Sequence, residues 1–498
     1  MRVCGVGWAV VLREDGFEAF RILFLWDCCQ VPTLFQITHT LTLYPSPWEQ
    51  GEGLLRAQLT HLPSSQASGL GFTRVMLSQE ATTAWDRIVR DGVRAEVDKI
   101  SDQESVELSE KFGTHNYHPL PINLVRADGI HVYDGEGNDY LDCIGSYSAV
   151  AHGHLSPFIV KTVQEQLEKV TLVSRAVYSS ELAVFLKALA DYSGLDMVCP
   201  MNTGAEAIET CIKLARKWGY VKKGVAKDQA EIIVADGNFH GRTTTIVGFS
   251  SEPQYKDLFG PYSSGFKSIP FGDASALEEA ITSNTVAVMM EPIQAEGGII
   301  VPYEGFLHDV CDICARHNVL VIWDEVQTGF ARTGRRFAWN HEEALPDLMA
   351  VGKPLGGGLF PVSAAVGRKD VMEVFQPGDH GSTFGGNPLG AVIAIAALAE
   401  MEVNDLAGRS DRMGSRMAAG FRDIGHPDIK EVRGKGLLIG LEVDSLDGAA
   451  LTKAFLDHRV LTKETRNRTF RFAPPLTITE SEVDEVVDRV GKAIRSVG

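Results

Sequence analysis

From about residue 110 onward, short apolar runs alternate with amphipathic segments along the chain. Between residues 205 and 218, apolar side chains recur at positions i, i+3, i+4 and i+7, which predicts an amphipathic helix. Short continuous apolar runs are typical of strands that are buried on both faces of a parallel sheet. Such runs predict strands at 231–235, 286–290, 319–323 and 348–351. The alternation therefore predicts an α/β fold with a mostly parallel sheet between layers of helices.

The two ends of the chain differ from this middle part. Beyond residue 400, strand candidates at 436–443 and 469–473 are flanked by helical patterns, which predicts a smaller α+β unit. Residues 1–75 show neither a period of 2 nor a period of 3.6. We interpret them as a peripheral extension that is either disordered or the product of a wrongly assigned translation start, with Met76 as the true start.

Composition and charge narrow the class of protein. The chain carries 47 Lys and Arg against 65 Asp and Glu, a net charge of −18, which excludes a long basic face for nucleic acid. No run approaches the ~18 apolar residues of a membrane-spanning helix, so we expect no membrane partner. The eight cysteines lack the spacing of a disulfide scaffold, which favours the cytoplasm. The mitochondrial matrix is the alternative, because residues 54–79 lack acidic side chains, as transit peptides do.

A CxxC pair at Cys311 and Cys314 lies in a segment with a helical pattern. No second pair or histidine couplet follows at the spacing of a zinc site. We therefore expect a buried helix face at this position, and the sequence predicts no metal site.

Charged residues follow three of the predicted strands. Glu291 comes directly after 286–290, Asp324 after 319–323, and Lys353 shortly after 348–351. Ligands of parallel α/β sheets bind beyond the carboxyl ends of the strands. We therefore expect the three side chains to converge in one ionic site.

Lys353 stands between Gly352 and Pro354, ahead of three glycines, which indicates a crowded pocket rather than an exposed loop. Burial lowers the pKa of a lysine, and the neutral amine is the form that condenses with an aldehyde. Asp324 is either a structural cap or the carboxylate that holds the protonated nitrogen of a pyridine ring. We favour the second interpretation because Lys353 follows the next strand. Its neighbour Glu325 is expected to be structural, since adjacent residues of a strand point apart.

Two further segments carry candidate binding residues. Residues 202–205 precede the predicted helix, so they form either an ordinary N-cap or an anion site at the positive helix end. In the segment after strand 231–235, Phe239 or His240 can lie over a flat aromatic ring, or can pack in the core. Arg242 offers a planar guanidinium for a carboxylate ligand or for a salt bridge.

Five motifs together resemble the class III, fold-type-I aminotransferases, which use pyridoxal 5′-phosphate (PLP). They are NTGAEA at 202–207, EPIQ at 291–294, DEVQTG at 324–329, GK at 352–353 and HGSTFGGNP at 380–388. The resemblance extends over about residues 110–495 and, within the class, is strongest to the branch that acts on ornithine. It implies a large domain with a seven-stranded, mostly parallel sheet and a smaller α+β domain. The implied division is a peripheral extension at 1–75, a segment at 76–165 that contributes to the small domain and the active site, a PLP-binding domain at 166–400 and a small domain at 401–498.

The resemblance also implies a reaction. The δ-amino group of L-ornithine passes to 2-oxoglutarate, which gives glutamate and glutamate 5-semialdehyde, the open form of pyrroline-5-carboxylate. Lys353 is the implied catalytic residue that bonds the cofactor aldehyde and moves the proton, and Asp324 is implied to hold the ring nitrogen. The remaining implied cofactor residues are Gly204 and Ala205 at the phosphate, Phe239 on the ring, Gln327 at the ring hydroxyl, and Ser382 and Thr383 at the phosphate of a partner subunit, which requires at least a homodimer.

Substrate choice is assigned by the same resemblance. Ornithine carries two amines, so a carboxylate clamp far from the cofactor must present the distal one. The implied substrate residues are Tyr117, Tyr147 and Arg242 for ornithine, and Arg471, which Glu296 holds until 2-oxoglutarate binds. Two positions depart from the usual family pattern, namely Ala295 in place of glycine and Pro354 in place of a small residue.

Two alternatives remain open at this point. The chain can be another ω-aminotransferase of the class, acting on acetylornithine or 4-aminobutyrate. It can also be a catalytically silent α/β binding protein that retains the pocket.

Overall fold

The computed structural model describes residues 84–466 and 468–497, and four backbone strands nearer the amino end. The chain divides into two compact units, residues 1–100 and residues 101–498. In the first unit, an antiparallel sheet has the order β1-β2-β3-β4. Its elements are β1 (Gly7–Arg13), β2 (Phe20–Trp26), β3 (Thr33–Thr38), β4 (Gln58–His61), α1 (Ala84–Asp91) and α2 (Val93–Val97). The rest of residues 1–75 lies outside the described residues, so their interpretation as an extension stays a prediction.

The second unit opens with short strands and three longer helices whose starts are capped by serine. Ser101 Oγ accepts a hydrogen bond from the Glu104 N–H, and Ser179 Oγ accepts one from the Leu182 N–H. Such caps satisfy first-turn N–H groups that have no acceptor within the helix. These elements are α3 (Asp102–Phe112), β5 (Leu124–Asp128), β6 (His131–Asp134), β7 (Asp139–Asp142), α4 (Gly145–Ser148), α5 (Pro157–Leu167) and α6 (Ser180–Ser193).

A seven-stranded sheet forms the centre of the second unit, in the order β10-β9-β11-β12-β13-β14-β8. Only β14 runs antiparallel to its neighbours, so the predicted mostly parallel seven-stranded sheet is confirmed. The strands are β8 (Met197–Met201), β9 (Glu231–Ala235), β10 (Phe266–Ile269), β11 (Thr285–Met290), β12 (Leu320–Asp324), β13 (Leu348–Val351) and β14 (Ser363–Gly367). The helices between them are α7 (Gly204–Trp218), α8 (Thr244–Gly248), α9 (Pro253–Lys256), α10 (Ala274–Ala280), α11 (Phe306–Arg316) and α12 (Lys369–Met372).

Both faces of this sheet are buried. Successive side chains of a strand point to opposite faces, so a strand that is covered on both sides must be apolar throughout. On β9, Ile232 and Val234 pack with α7, whereas Ile233 and Ala235 pack with α10 and α11. The continuous apolar runs of the sequence therefore reflect burial on both sides. Cys314 belongs to the core under α11, and Cys311 packs against it.

The carboxyl-terminal part is an α+β layer, as predicted. Its sheet has the order β15-β16-β19-β18, while β17 joins β7, β6 and β5 in another sheet. Its elements are α13 (Pro388–Val403), α14 (Leu406–Asp423), β15 (Ile429–Lys435), β16 (Leu438–Val443), α15 (Gly448–Asp457), β17 (Val460–Leu461), β18 (Lys463–Glu464), β19 (Thr469–Phe472) and α16 (Glu480–Val497). No helix within the described residues is long and apolar enough to cross a membrane.

A buried arginine fastens this layer to the loop that follows β12. The Arg332 guanidinium is fully buried and donates to Leu437 O at 3.0 Å and to Pro474 O at 2.6 Å. Burial lowers the pKa of Arg332 to about 9, and the charge of Arg471 acts in the same direction. Because backbone carbonyls just before β16 and just after β19 both accept from this one side chain, it ties the loop to the layer.

Close backbone packing sets the position of α14. A Cβ atom on Gly414 would overlap the carbonyl of Gly436, which lies in the turn between β15 and β16. Alanine at a helix interior position normally gains ~1 kcal/mol over glycine. Here the overlap involves backbone atoms on both sides, so neither side can give way cheaply.

We expect Gly414→Ala to lower the free energy of unfolding by about 2 kcal/mol, because the clash outweighs the gain in helix propensity. Thermal and urea unfolding followed by circular dichroism measure this change. Ser415→Ala, at the exposed neighbouring position of the same helix, is the control and should stay within about 0.5 kcal/mol. An unchanged or raised stability of Gly414→Ala would show that the turn is free to move.

Candidate active site

The three strand ends identified from the sequence meet in one cavity. Strands β11, β12 and β13 are parallel neighbours, and Asp324 pairs in register with Ala350. Glu291, Asp324 and Lys353 all line the same cavity of about 200 Å³. Its other lining residues are Gly204, Ala205, Phe239, His240, Gly241, Val326, Gln327 and Thr328.

A buried histidine holds one side of Asp324. His240 Nδ1 lies 2.7 Å from Asp324 Oδ2, and the Val326 N–H donates to the other oxygen at 3.0 Å. Burial lowers the pKa of His240, but the hydrogen bond and charge of Asp324, together with the charge of Glu291, raise it further, so the net shift is upward. The imidazole therefore donates to Asp324 and fixes the direction of the carboxylate. Spacing alone could not identify this pair, because 84 residues separate the partners.

Glu291 forms the rear wall of the cavity. One carboxyl oxygen accepts from the Phe239 N–H at 3.0 Å, and the other accepts from the Ala295 N–H at 3.4 Å. Burial raises the pKa of Glu291 to about 7, against the opposing effect of the nearby His240. Glu325, which directly follows Asp324, is also buried. Its carboxylate accepts hydrogen bonds from Thr328 Oγ1 and the Trp339 N–H rather than sharing the partners of Asp324.

Lys353 begins a short 3-10 turn directly after β13. Its φ of 43° lies in the left-handed region, which is strained for a residue with a side chain. Burial lowers the pKa of Lys353; the charge of Glu296 raises it and that of Arg471 lowers it. Within the described part of the chain, its amine makes no hydrogen bond or ion pair. The side chain is therefore a half-buried amine that is biased toward its neutral, nucleophilic form.

The amino end of α7 has a side-chain cap and, beside it, backbone N–H groups that face the cavity. Thr203 and Glu206 form a capping box, in which each side chain bonds the backbone of the other. The first-turn N–H groups of Gly204 and Ala205 have no acceptor within the helix and border the cavity. A Cβ atom on Gly204 would lie 2.8 Å from the Val326 side chain, so glycine is required for this close approach. The two interpretations of this segment, cap and anion site, are thus compatible.

The residues predicted for a partner-supplied phosphate contact lie near this helix end. Ser382 Oγ accepts a hydrogen bond from Asn202 Nδ2 at 3.0 Å within the same chain. Thr383 is exposed, and neither residue lines the cavity.

Arg471 is buried on β19 and pairs with Glu296. Gln327 links the two, because it accepts from Arg471 at 3.1 Å and donates to Glu296 at 3.2 Å. The Arg471 guanidinium also lies 5.1 Å from the ring centroid of Tyr147. Burial raises the pKa of Tyr147, as do the charges of Glu296 and Tyr117, while Arg471 lowers it. The residues predicted for the Arg471 switch therefore form a compact hydrogen-bonded cluster beside Lys353.

The predicted ornithine clamp is less enclosed. Arg242 is exposed and stacks on Tyr255, 3.6 Å from its ring centroid, and lies 5.4 Å from the ring of Phe239. Tyr117 is 69% exposed in the single chain. Neither Tyr117 nor Arg242 lines the cavity itself. Sequence reasoning missed Tyr255, since nothing in the pattern of its short helix α9 indicated a cation–π partner.

The chain is similar to known aminotransferases. The family model for class-III aminotransferases matches residues 112–494. An ornithine aminotransferase from Brevibacillus brevis is 49% identical over 389 residues, which cover 78% of this chain and 97% of that protein. The solved ornithine aminotransferase from Toxoplasma gondii is 38% identical with a TM-score of 0.80, over 84% of this chain and 99% of that one.

A solved acetylornithine aminotransferase from Elizabethkingia anophelis is 41% identical with a TM-score of 0.73, over 80% of this chain and 99% of that one. The matched span agrees with the range of about 110–495 predicted from the motifs, and that resemblance is confirmed. The match spans most of the chain and includes the parallel sheet, the strand-end cluster and the carboxyl-terminal layer. This chain therefore belongs to the class-III aminotransferase family.

Proposed function

We propose that this protein is an ornithine aminotransferase that moves the δ-amino group of L-ornithine to 2-oxoglutarate. Its products are glutamate and glutamate 5-semialdehyde, which cyclises to pyrroline-5-carboxylate. The observation that carries this proposal is the half-buried amine of Lys353, whose pKa is lowered and which shares a cavity of about 200 Å³ with Asp324. In this proposal residues 166–400 hold the cofactor and contribute Arg242 and Glu296 to the substrate site, while the flanking segments contribute Tyr117, Tyr147 and Arg471.

The cofactor is PLP, and the chemistry of the cavity fits each of its parts. A carboxylate already directed by His240 and the Val326 N–H suits a protonated ring nitrogen. The free N–H groups at the start of α7 suit a phosphate. Phe239 and Gln327 border the space between them. When bound, PLP supplies an aldehyde that takes up amino groups and a ring that withdraws electrons.

Lys353 is the proposed proton carrier. Its Nζ, biased toward the neutral form by burial, can take a proton from the δ-carbon of ornithine and later return one. Asp324 is held in place by His240, so its carboxylate can face the ring nitrogen during the whole reaction. Exclusion of water from the buried strand ends strengthens these charge interactions.

Arg471 and Glu296 supply the proposed switch between the two substrates. While ornithine is bound, Glu296 stays paired with Arg471, so the guanidinium is not free to attract the α-carboxylate of ornithine. When 2-oxoglutarate enters, its α-carboxylate takes the place of Glu296 on the guanidinium. The Gln327 amide donates to Glu296 and accepts from Arg471, so it can keep a hydrogen bond to either residue after they separate. Tyr117, Tyr147 and Arg242 are proposed to orient ornithine.

A homodimer is the proposed active unit. Ser382 and Thr383 are proposed to reach the phosphate site of the partner subunit. Large apolar side chains are exposed along residues 155–184 of the single chain, including Phe158, Leu167 and Tyr178. Exposed apolar side chains in such a stretch favour contact with another protein surface.

The proposed compartment is the cytoplasm, with the mitochondrial matrix as the alternative. The five described cysteines, Cys143, Cys199, Cys211, Cys311 and Cys314, are free thiols, as a reducing compartment favours.

The leading alternative is an acetylornithine aminotransferase, because the Elizabethkingia enzyme of that name shares 41% identity with this chain. The two functions differ in whether the α-amino group of ornithine is free, so the substrate clamp decides between them. A silent binding protein is disfavoured by the retention of both Lys353 and Asp324.

Lys353→Ala should reduce the formation of pyrroline-5-carboxylate from ornithine and 2-oxoglutarate by at least about a thousandfold, since no other described amine lines the cavity. Product formation and the visible absorption of bound cofactor are the measurements, with circular dichroism to verify folding. The control, Lys369→Ala, removes an exposed lysine on α12. Turnover near the unmodified rate would refute the role of Lys353.

Tyr117→Phe should lower kcat/KM for ornithine about tenfold relative to acetylornithine and 4-aminobutyrate, because a hydroxyl that orients free ornithine is lost. Steady-state rates with all three amines give the ratio. Tyr178→Phe removes the hydroxyl of a fully exposed tyrosine and should leave the ratio unchanged. If acetylornithine is the better substrate of the unmodified protein, the acetylornithine assignment replaces ours.

Mixed dimers test whether Ser382 and Thr383 act on the partner. The Lys353→Ala variant and the double variant Ser382→Ala/Thr383→Ala should each have low enzymatic activity when they are assayed alone. When equal amounts of the two variants associate at random, half of the dimers are mixed. Each mixed dimer has one complete site out of two, so about a quarter of the unmodified activity should return. Light scattering checks the dimer. Activity no higher than the mean of the two pure variants would place these side chains at their own site.

A further inference from the structure

We propose that a second cavity, separate from the proposed active site, binds a small phosphate-bearing anion. This cavity of about 350 Å³ lies between helix α14, edge strand β15 and the loop that follows β12. It shares no lining residue with the cavity around Lys353. We call it the α14–β15 cleft.

The walls of the α14–β15 cleft are built from regular elements. On α14, Asp411, Ser415, Ala418 and Arg422 recur every three or four residues and therefore share one face. Along β15 and its turn, the lining continues through residues 433–436. The glycine contact between α14 and this turn, described above, leaves no room for an added methyl group. The cleft is thus held in shape before any ligand arrives, which reduces the entropy lost on binding.

Three of the lining cations have no acidic partner. Within the described residues, Arg335, Arg422 and Lys435 form no ion pair. Arg422 donates to Val432 O at 3.0 Å and Arg335 to Gly334 O at 2.9 Å, which leaves donors on both guanidinium groups. In a chain with a net charge of −18, unpaired cations gathered in one cleft stand out.

The remaining charged residues of the cleft do not cancel this excess. Arg433 is neutralised by Glu431 and Glu442. Asp411 is the one carboxylate among the described lining residues. Three unpaired cations against one carboxylate leave an excess of two positive charges, which matches a phosphate group of about two negative charges.

His341 lies on the loop side of the cleft, and its pKa responds to the charges around it. Its Nε2 lies 2.9 Å from Thr333 O. Burial lowers the pKa of His341 to about 4; Lys435 and Arg335 lower it, and Thr333 O and Asp411 act in the opposite direction. These are the charged groups that act on the ring from the loop, from α14 and from the turn. An anion between Lys435 and Arg335 would offset their charge and raise this pKa.

The donor set suits a phosphate group. Guanidinium groups and an ammonium group both bind phosphate oxygens well, and Ser415 adds a hydroxyl donor on the same face of α14. The volume accommodates a small phosphate ester as well as the free ion.

Calorimetric titration of the PLP-loaded protein with inorganic phosphate, glycerol 3-phosphate and succinate tests the proposal. We expect one saturable phosphate-type site per chain, and the tighter of the two phosphate probes identifies the free ion or the ester as the ligand. Lys435→Gln and Arg335→Gln should each weaken that binding about tenfold. Lys369→Gln, which removes the same charge outside the cleft, should bind as the unmodified protein does.

A second readout uses His341 itself. Its pKa, followed by nuclear magnetic resonance, should rise when the phosphate probe is added and should not rise in Lys435→Gln. Thermal unfolding checks that both glutamine variants fold, and Arg335 is exposed, so its replacement is the safer of the two. Absence of saturable phosphate binding, equal phosphate binding by the Lys435 and Lys369 variants, or succinate binding that is tighter than phosphate binding and is weakened by Lys435→Gln would each overturn the proposal.

Discussion

Parallel pairing of β11, β12 and β13 is the constraint on which the rest of the structure depends. Because the three strands run in the same direction and in register, the residues that follow them emerge at one edge of the sheet. A carboxylate pair and a lysine that are far apart in sequence thereby share a cavity. If one of these strands ran the other way, its charged residue would emerge at the opposite edge.

Burial then gives these groups their chemical character. Apolar side chains fill both faces of the sheet, so Lys353 loses water and its pKa falls. The same loss of water raises the pKa of Glu291. Asp324 lies between these two in the site, with His240 and a backbone N–H as fixed partners. One core therefore produces an amine biased toward its neutral form and a carboxylate of fixed direction.

Much of this fold could be predicted from the sequence, because strands covered on both faces leave continuous apolar runs. The predicted strand 231–235 coincides with β9, and 319–323 differs from β12 by one residue at each end. Strand β15 was missed, since it lies at the edge of its sheet and Lys430, Glu431 and Arg433 interrupt the apolar pattern. Local periodicity identified the central parallel strands, but it missed the buried antiparallel strand β14 as well as the edge strand β15.

The candidate site shows the same division. Lys353 and Asp324 stood out because each follows an apolar run directly or nearly so. Contacts between distant segments left no local signal, as with Arg242 on Tyr255 or Gln327 between Glu296 and Arg471. The clamp and switch residues were therefore assigned by resemblance rather than by pattern.

The buried guanidinium of Arg332 has a consequence for the exchange of partners proposed for Arg471. Its bonds to Leu437 O and Pro474 O anchor the chain just before β16 and just after β19. A hinged swing of β19 would break a hydrogen bond that has no water to replace it. In the proposed switch, Arg471 therefore changes partners by turning about its own side-chain bonds, while the backbone that carries it stays still.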